Sequence, residues 1–356
     1  MTDRSRYDTL APAFRIEIDG REVAQQLQAD LIGVRVVDDV ETTGMFSMTL
    51  NCWDNAQMQV KWLDDDLFRE GNTVTIHMGY RDDLEEVFAG EISGLEPEFH
   101  TTAATVLVVR GYDGRHRLMK QKKTRSYLRM KDSDIVTQIA SETNLTPTVE
   151  DSGIAFDYVL QHNETDLEFL QRRAERIGYE VFVHGKALCF RPRPVEDGQS
   201  LTLRREVDLL EFCPRSTTMG QVAQVAVRGW DPKQKRELVG VARAGDVRGR
   251  LGATSGPAAV ERAFPGACAV DVRSPVTSQA EAVALAAGRL NEAAFRHVTG
   301  EGVCIGRPDV RPGRLINAEG LGQRFSGLYY VTAVEHTYSP SHGYRTAFAV
   351  RRSATG

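Results

Sequence analysis

Apolar and polar residues alternate along much of the first third of the chain. Phe14, Ile16 and Ile18 alternate up to the turn pair Asp19-Gly20. Two later segments alternate in the same way, at Phe46, Met48, Leu50 and Cys52 and at Val74, Ile76 and Met78. Strand side chains point alternately to opposite faces, so each segment predicts a strand that buries one face. We therefore predict an all-β module over residues 1–114, which ends beyond a Val-rich strand at Arg-Gly-Tyr-Asp, residues 110–113.

The length and composition of the chain indicate a multidomain globular protein. Its 356 residues exceed the size at which a single core stops growing, about 250 to 300 residues, so we expect two or three domains. Hydrophobic residues make up 41% and charged residues 26%, and no apolar run approaches the ~20 residues of a membrane span. The first six residues lead into no apolar segment, so we predict synthesis in the cytoplasm without a secretory signal. A formal net charge of −5 argues against a dedicated nucleic-acid binder.

Residues 115–199 are predicted to form a small α+β insert domain. The segment opens with eight basic residues and no acidic one: Arg115, Arg117, Lys120, Lys122, Lys123, Arg125, Arg129 and Lys131. This run could bind phosphates, but it lacks interleaved aromatic residues, which favours a solvated hairpin or an interface with an acidic neighbour. A helix should follow from Asp132 or Ser133, with apolar residues of 135–140 on one face.

The strongest local signal is a capped helix followed by a hairpin. Thr165 and Glu168 form an S/T-x-x-E capping box, and Gly178 supplies the C-terminal stop. Leu170 and Ile177 fall on one helical stripe, which should pack on a hairpin over residues 179–190.

Residues 200–356 return to a β pattern and are predicted to form a second β module. Arg-Gly-Trp-Asp at 228–231 nearly repeats the earlier tetrapeptide, which hints at two copies of one module, with chance as the alternative. Residues 240–266 are rich in Gly, Ala and Ser and predict a mobile surface loop. Ser278 and Glu281 open a predicted helix over 278–297, and strands follow to the end of the chain.

Known catalytic and ligand motifs are missing from the sequence. The glycines at 178 and 185 have the wrong spacing for a phosphate loop, and the Gly-x-Gly pairs at 300 and 320 lack a third glycine. The eight histidines form no H-E-x-x-H pair, and the five cysteines, Cys52, Cys189, Cys213, Cys268 and Cys304, form no C-x-x-C pair and predict reduced thiols. We therefore predict no catalytic, cofactor-binding or metal-binding residues, no cofactor and no enzymatic activity.

Four stretches of the chain carry a family resemblance. They are residues 108–113, the capped helix and hairpin from residue 164, residues 227–232, and the C-terminal segments at 298–302, 327–331 and 336–338. Together they resemble the phage late-control protein D family, which is related to the T4-type tail hub and to the N-terminal hub region of VgrG proteins from contractile injection systems. Residues 133–140 are also similar to the LysM-like element of such hubs.

The resemblance implies a fold and an assembly. The fold would be mainly β, with two tube-like antiparallel β-barrel modules flanking a small α+β (LysM-like) domain. Three chains would form a pseudo-hexameric trimer, a baseplate hub that joins a hexameric inner tube to a trimeric spike. The implied partners are the inner tube protein, a separate spike protein, baseplate wedge proteins and cargo in the lumen, within a virion tail or an injection particle.

An alternative function is a peptidoglycan-binding or peptidoglycan-hydrolysing tail component, since a LysM-like helix is similar to wall-binding modules. The hub interpretation is favoured because that helix lies between the two β modules. It is favoured also because the sequence provides no lysozyme domain after its last strand.

Overall fold

The computed structural model describes residues 11–81, 83–100, 104–193 and 200–356. Two of the sequence predictions concern residues outside these ranges. They are the absence of a secretory signal at residues 1–6 and the end of the insert domain at 194–199. The predicted domain boundaries therefore stay predictions.

The first part of the chain is almost entirely β-structure. Its elements are β1 (Pro12–Ile18), β2 (Arg21–Glu22), helix α1 (Gln25–Asp30), β3 (Leu31–Asp39), β4 (Met45–Asn51), β5 (Trp53–Asp54), β6 (Gln59–Val60), β7 (Thr73–Tyr80), β8 (Asp83–Glu98) and β9 (Val106–Tyr112). The alternating residues of the three predicted strands point into one core, in which Ile16, Phe46, Met48 and Ile76 are fully buried. The period-two prediction is confirmed for these strands.

The middle part has separate small sheets and two longer helices. Its elements are α2 (Arg115–Leu118), β10 (Lys122–Lys131), α3 (Asp132–Glu142), β11 (Thr146–Val149), β12 (Ala155–Thr165), α4 (Asp166–Ile177), β13 (Tyr179–His184) and β14 (Ala187–Pro192). Both halves of the predicted capping box are made, since Thr165 Oγ1 accepts from the Glu168 amide and the Glu168 carboxylate accepts from the Thr165 amide. Gly178 ends α4 with φ 71° in the left-handed region, as predicted. The β13–β14 hairpin is confirmed as well.

The last part of the chain mixes strands and helices. Its elements are β15 (Leu201–Arg204), β16 (Leu209–Ser216), β17 (Gln224–Asp231), β18 (Arg236–Arg243), β19 (Thr254–Ser255), α5 (Gly256–Ala263), β20 (Cys268–Asp271), α6 (Gln279–Phe295), β21 (Val298–Ile305), β22 (Leu315–Glu319), α7 (Gly322–Phe325), β23 (Gly327–Ser339), β24 (Gly343–Arg352) and β25 (Ala354–Thr355). Helix α6 confirms the helix predicted over 278–297, with Ser278 as its N-cap.

One thirteen-stranded sheet unites the two β regions. Its path runs β16-β21-β24-β23-β3-β4-β9-β8-β7-β1-β2, with β22 beside β23 and β15 beside β22. The first six-strand module is β1-β7-β8-β9-β4-β3, and the second is β15-β22-β23-β24-β21-β16. The modules meet where β3 pairs antiparallel with β23, so that Val37 lies opposite Glu335.

Neither module is closed by a full ladder among the described strands. In the first module, the side chain of Phe14 on β1 packs on Tyr338 of β23, with ring centroids 4.8 Å apart. In the second, a single bridge between Arg205 and Leu209 joins the end of β15 to β16. The predicted pair of barrels thus takes the form of two curved modules within one continuous sheet.

The two copies of Arg-Gly-aromatic-Asp do not lie on equivalent strands. The prediction that they mark two copies of one module is therefore wrong. The first copy ends β9, which lies between β4 and β8 in the large sheet. The second copy ends β17, which belongs to a separate three-stranded sheet of order β18-β17-β20. Helix α6 covers one face of this small sheet. Strands β17, β18 and β20 with α6 form a unit, here called the second α+β unit, that interrupts the second β module.

The prediction of a loop over residues 240–266 is also wrong for much of its length. The segment begins within β18 and contains β19 and helix α5. Ser255 caps α5 by accepting from the Ala258 amide, and Pro257 lies in its first turn. Small residues in a sequence are typical of a loop, but in this segment they allow neighbouring elements to pack closely.

Candidate functional site

The large sheet has one face on its cores and one face open to solvent. On the core side lie buried residues such as Val36, Met48 and Phe348. The alternate positions on the same strands are partly or fully exposed, and they carry small and polar side chains. We define the open sheet face by these exposed positions on β16, β21, β24, β23, β3, β4 and β9.

Two rows of side chains cross the open sheet face at the junction of the modules. Strand register gives the first row as Glu211, Val303, Ala347, Glu335 and Val37. It gives the second row as Cys213, Glu301, Ala349, Ala333 and Asp39. All of these residues except Asp39 line a shallow groove of about 370 Å³. The small side chains form the floor of the groove, and the carboxylates along it give the groove a negative charge.

An ion pair on this face spans the junction between the modules. Arg35 on β3 binds Glu335 on β23 in a bidentate manner, with both N···O distances 2.8 Å. On the first module, Arg110 on β9 pairs with Glu96 on β8 at 2.8 Å. Exposed pairs of this kind contribute little to stability, about 0 to 1 kcal/mol. Their main effect here is to balance positive and negative charge across the open sheet face.

A buried charge cluster joins the first β module to the insert domain. Arg115 is fully buried, and its guanidinium lies 2.7 Å from the Asp113 carboxylate and 3.1 Å from that of Asp38. The Asp113 carboxylate also accepts from the backbone amide of Gly44 at 2.8 Å. Burial raises the pKa of Asp38 to about 6, although the Arg115 charge acts in the opposite direction. The cluster fixes the start of the insert against the ends of β3 and β9.

Most of the basic run is neutralised within the chain. Besides Arg115, four of its residues pair with acids: Arg117 with Glu91, Lys123 with Asp166, Arg125 with Glu142 and Asp166, and Lys131 with Asp151. The predicted acidic neighbour therefore exists, but it belongs to the same chain. Sequence reasoning missed this because the acids lie 17 to 43 positions away.

The insert domain is tied to the rest of the molecule by a second polar cluster. The buried carboxylate of Glu180 on β13 accepts from Tyr330 Oη on β23 and pairs with Arg191 at 3.1 Å. Burial raises the pKa of Glu180, while its hydrogen bond from Tyr330 acts to lower it. Arg193 beyond β14 pairs with Glu292 on α6. The insert thus contacts both the second β module and the second α+β unit.

Titratable groups with large pKa shifts lie inside the cores and not on the open sheet face. His336 on β23 is buried, which lowers its pKa to about 3, and its Nδ1 lies 2.9 Å from Tyr344 Oη and 3.1 Å from Thr346 Oγ1. Burial acts in the other direction on the Cys304 thiol and raises its pKa. These groups serve packing between β23, β24 and β21.

No cluster of three or more His, Cys, Asp or Glu side chains suited to a metal ion occurs in the described ranges. Nor does any helix within those ranges have the length and apolar character needed to cross a membrane. The prediction that the chain has no catalytic or cofactor-binding residues stays a prediction.

Comparison with known proteins identifies relatives of the fold. A family model described as "Alg8 N-terminal domain" matches residues 8–340. The 43 kDa tail protein of prophage MuSo2 from Shewanella oneidensis superposes with a TM-score of 0.72 at 12% identity, covering 97% of this chain and 100% of that one. A tail protein of Neisseria meningitidis has a TM-score of 0.69 at 12% identity, with 96% of each chain covered.

A third similar structure comes from a secretion machine. It is an Escherichia coli component of the type VI secretion system, described as structurally similar to T4 bacteriophage tail proteins. Its TM-score is 0.59 at 13% identity, covering 95% of this chain and 76% of that one. No curated protein matches the chain by sequence. The likenesses show that this chain has a fold found in phage tail proteins, which confirms the resemblance inferred from the sequence.

Proposed function

This chain belongs to the family described as the Alg8 N-terminal domain, and from the fold that it shares with phage tail proteins we propose that it is a structural baseplate hub subunit of a phage tail or contractile injection system. In this proposal three copies form a ring that adapts a hexameric inner tube to a separate trimeric spike. The chain acts through the geometry of its interfaces and carries out no catalysis.

The observation that carries the proposal is the pair of six-strand modules in one sheet. Three copies of a chain with two similar modules present six modules around one axis. Such a ring has a true threefold symmetry and an approximate sixfold symmetry, so its two ends can meet partners of different symmetry. The fold shared with tail proteins supports the same role.

We assign the open sheet face to the inner wall of this ring. Its small side chains, ion pairs and carboxylates suit a surface past which cargo must slide, because large apolar patches would retain a passing protein. The remaining surfaces are then available to the inner tube, the spike and the wedge proteins of a baseplate.

The first test is the mass of the purified chain and its behaviour toward tube protein. We expect a trimer by analytical ultracentrifugation, and threefold particles that cap the ends of tubes in electron micrographs. A chain that stays monomeric, ignores tube protein and releases fragments from peptidoglycan would contradict the proposal.

The second test uses two natural exposed thiols as a matched pair. Cys213 lies on the open sheet face, whereas Cys268 lies on the second α+β unit. The reagent is a maleimide that carries a 5 kDa polymer. It should modify Cys213 at least tenfold more slowly in tube-capped trimers than in the free chain. The rate at which it modifies Cys268 should be the same in both. Equal protection of both thiols, or of neither, would contradict the assignment of the inner wall.

A further inference from the structure

The three-stranded sheet of the second α+β unit has an uncovered apolar face. Helix α6 packs on one side of this sheet, against Val225, Val227 and Leu238. On the other side, register places Val241 and Val270 on either side of Ala226, in one row across all three strands. Val270 is 56% exposed, and Trp230 on the central strand is 59% exposed. Val241, Val270 and Trp230 are thus exposed apolar side chains around a buried Ala226, and exposed apolar surface of this kind is typical of an interaction site.

The two edges of this small sheet differ. Along β18, the side chain of Gln279 occupies the free edge, where its Nε2 donates to the Val239 carbonyl at 2.6 Å and its Oε1 accepts from the Val239 amide at 3.3 Å. Strand β20 pairs with β17 on one side, and no described strand pairs with its other side. Cys268, Ala269 and Val270 on β20 are exposed. An added strand can therefore extend this sheet only beside β20.

The charge around this face is positive, although the chain as a whole is negative. The turn between β17 and β18 carries Lys233 and Lys235, and Arg236 begins β18. All three are exposed and have no ion-pair partner among the described residues. Nearby, Arg228 and Glu237 pair with each other at 3.6 Å. Charge complementarity thus favours an acidic occupant.

A nucleic acid fits this surface poorly. Single strands bind to rows of aromatic side chains on which successive bases stack. Here Trp230 is the one exposed aromatic residue of the three strands, and the other exposed residues of the face are valines and polar residues such as Arg228 and Glu237. Aliphatic side chains match the alternate side chains of an extended peptide instead.

We propose that the free edge of β20 binds an extended, acidic segment of another protein, which adds to the sheet as a fourth strand. Its aliphatic side chains would pack beside Val270, and its carboxylates would lie toward the end of the sheet that carries the basic turn. This site does not depend on the hub role, because it uses only the second α+β unit.

The probe is an end-blocked eight-residue peptide of alternating valine and glutamate, added to the full-length chain. We expect the backbone amides of residues 268–271 to exchange at least tenfold more slowly with deuterium when the peptide is present. Binding should weaken at least fivefold in a Val270→Asn variant, and should weaken with salt. The matched control is Val207→Asn, which changes an exposed valine outside this unit and should leave binding unchanged.

Three outcomes would overturn the proposal. One is that a peptide with lysine in place of glutamate, or one interrupted by proline, binds as tightly. Another is that an oligothymidine strand binds more tightly than the acidic peptide, or that protection falls outside β20. The last is that Val270→Asn dissociates the chain's own oligomer, which would identify a second copy as the occupant.

Discussion

The insert domain and the second α+β unit are built alike, but the sequence predicted the insert as a domain and predicted only the helix of the second unit. Each packs a helix on a small sheet, and the two helices, α4 and α6, contact each other. In the insert the core side chains are large, with Phe169 and Leu170 fully buried. In the second unit, half of the buried residues of α6 are alanine or glycine: Ala282, Ala286, Gly288 and Ala294. An element that packs through large side chains has a strong periodic pattern in its sequence. An element that packs through small side chains has a sequence similar to that of a loop.

The close packing of α6 shows why the second unit needs small residues. A Cβ built on Gly240 of β18 would lie 2.0 Å from the Ala282 carbonyl oxygen. A Cβ on Gly288 of α6 would lie 2.8 Å from the Arg176 carbonyl oxygen of α4. Both contacts are with backbone atoms, which cannot rotate away. Gly240, which lay in the predicted loop, and Gly288, which lay in the predicted helix, are therefore both required by direct backbone contact.

The largest effect is expected from placing charge in the core of the insert. The double replacement Leu170→Asp and Ile177→Asp buries at least one unpaired carboxylate, since Leu170 is fully buried, and should lower the free energy of unfolding by about 4 kcal/mol or more. Urea denaturation measures the change, and hydrogen exchange should show lost protection in β13 and β14.

The matched control for that variant is the double replacement Leu128→Asp and Leu160→Asp on the exposed side of β10 and β12. We expect a change of about 0.5 kcal/mol or less. Unchanged thermal unfolding in the Leu170 and Ile177 variant would refute the packing of α4 on its hairpin.

The second-largest effect is expected at Gly240, where helix α6 lies close to strand β18. Gly240→Ala forces a methyl group into the Ala282 backbone and should destabilise the chain by about 3 kcal/mol. Hydrogen exchange should show that β17 and β18 lose protection, while the strands of the large sheet keep theirs, because the two units have separate cores. A stable Gly240→Ala protein would contradict the packing described here.

A smaller effect is expected at the contact between the two helices. Alanine stabilises an exposed helix interior relative to glycine by about 1 kcal/mol. At Gly288 we expect the opposite sign, a loss of about 1 to 2 kcal/mol, because the new methyl group meets the backbone of α4. Gly245→Ala is the control, since a Cβ there meets no atom within 4 Å. Stabilisation by Gly288→Ala in thermal denaturation would show that the helices do not touch.

The smallest effect compares the two helix caps. Thr165 and Ser278 each accept from a backbone amide three residues on, at 3.2 Å. Replacement by alanine should cost about 1 kcal/mol at either position. The loss should be larger at Thr165, because its hydroxyl also donates to the Glu168 carboxylate, whereas Glu281 accepts from Thr277. Equal losses in urea denaturation would contradict this difference.

The sequence predicted those elements whose signals lie within a few residues of each other. The alternation in β1, β4 and β7, the capping box of α4 and the Ser278 cap of α6 each depend on neighbours in the chain. The candidate site could not be predicted in this way. Its groove brings together β16, β21, β24, β23 and β3, and its ion pair joins Arg35 to Glu335 across 300 positions. No local pattern specifies which of many alternating strands will pair.

The sequence by itself therefore determined the strands, the capped helices, the likeness to a tail-hub family and the lack of recognised catalytic motifs. The tertiary structure decided that the two β modules share one sheet, that Arg115 is buried, and that residues 240–266 belong largely to a packed unit. The physical reason is the range of the interactions. Capping and side-chain alternation act between neighbours, whereas strand pairing, charge burial and backbone contact at glycine depend on partners that only the fold brings together.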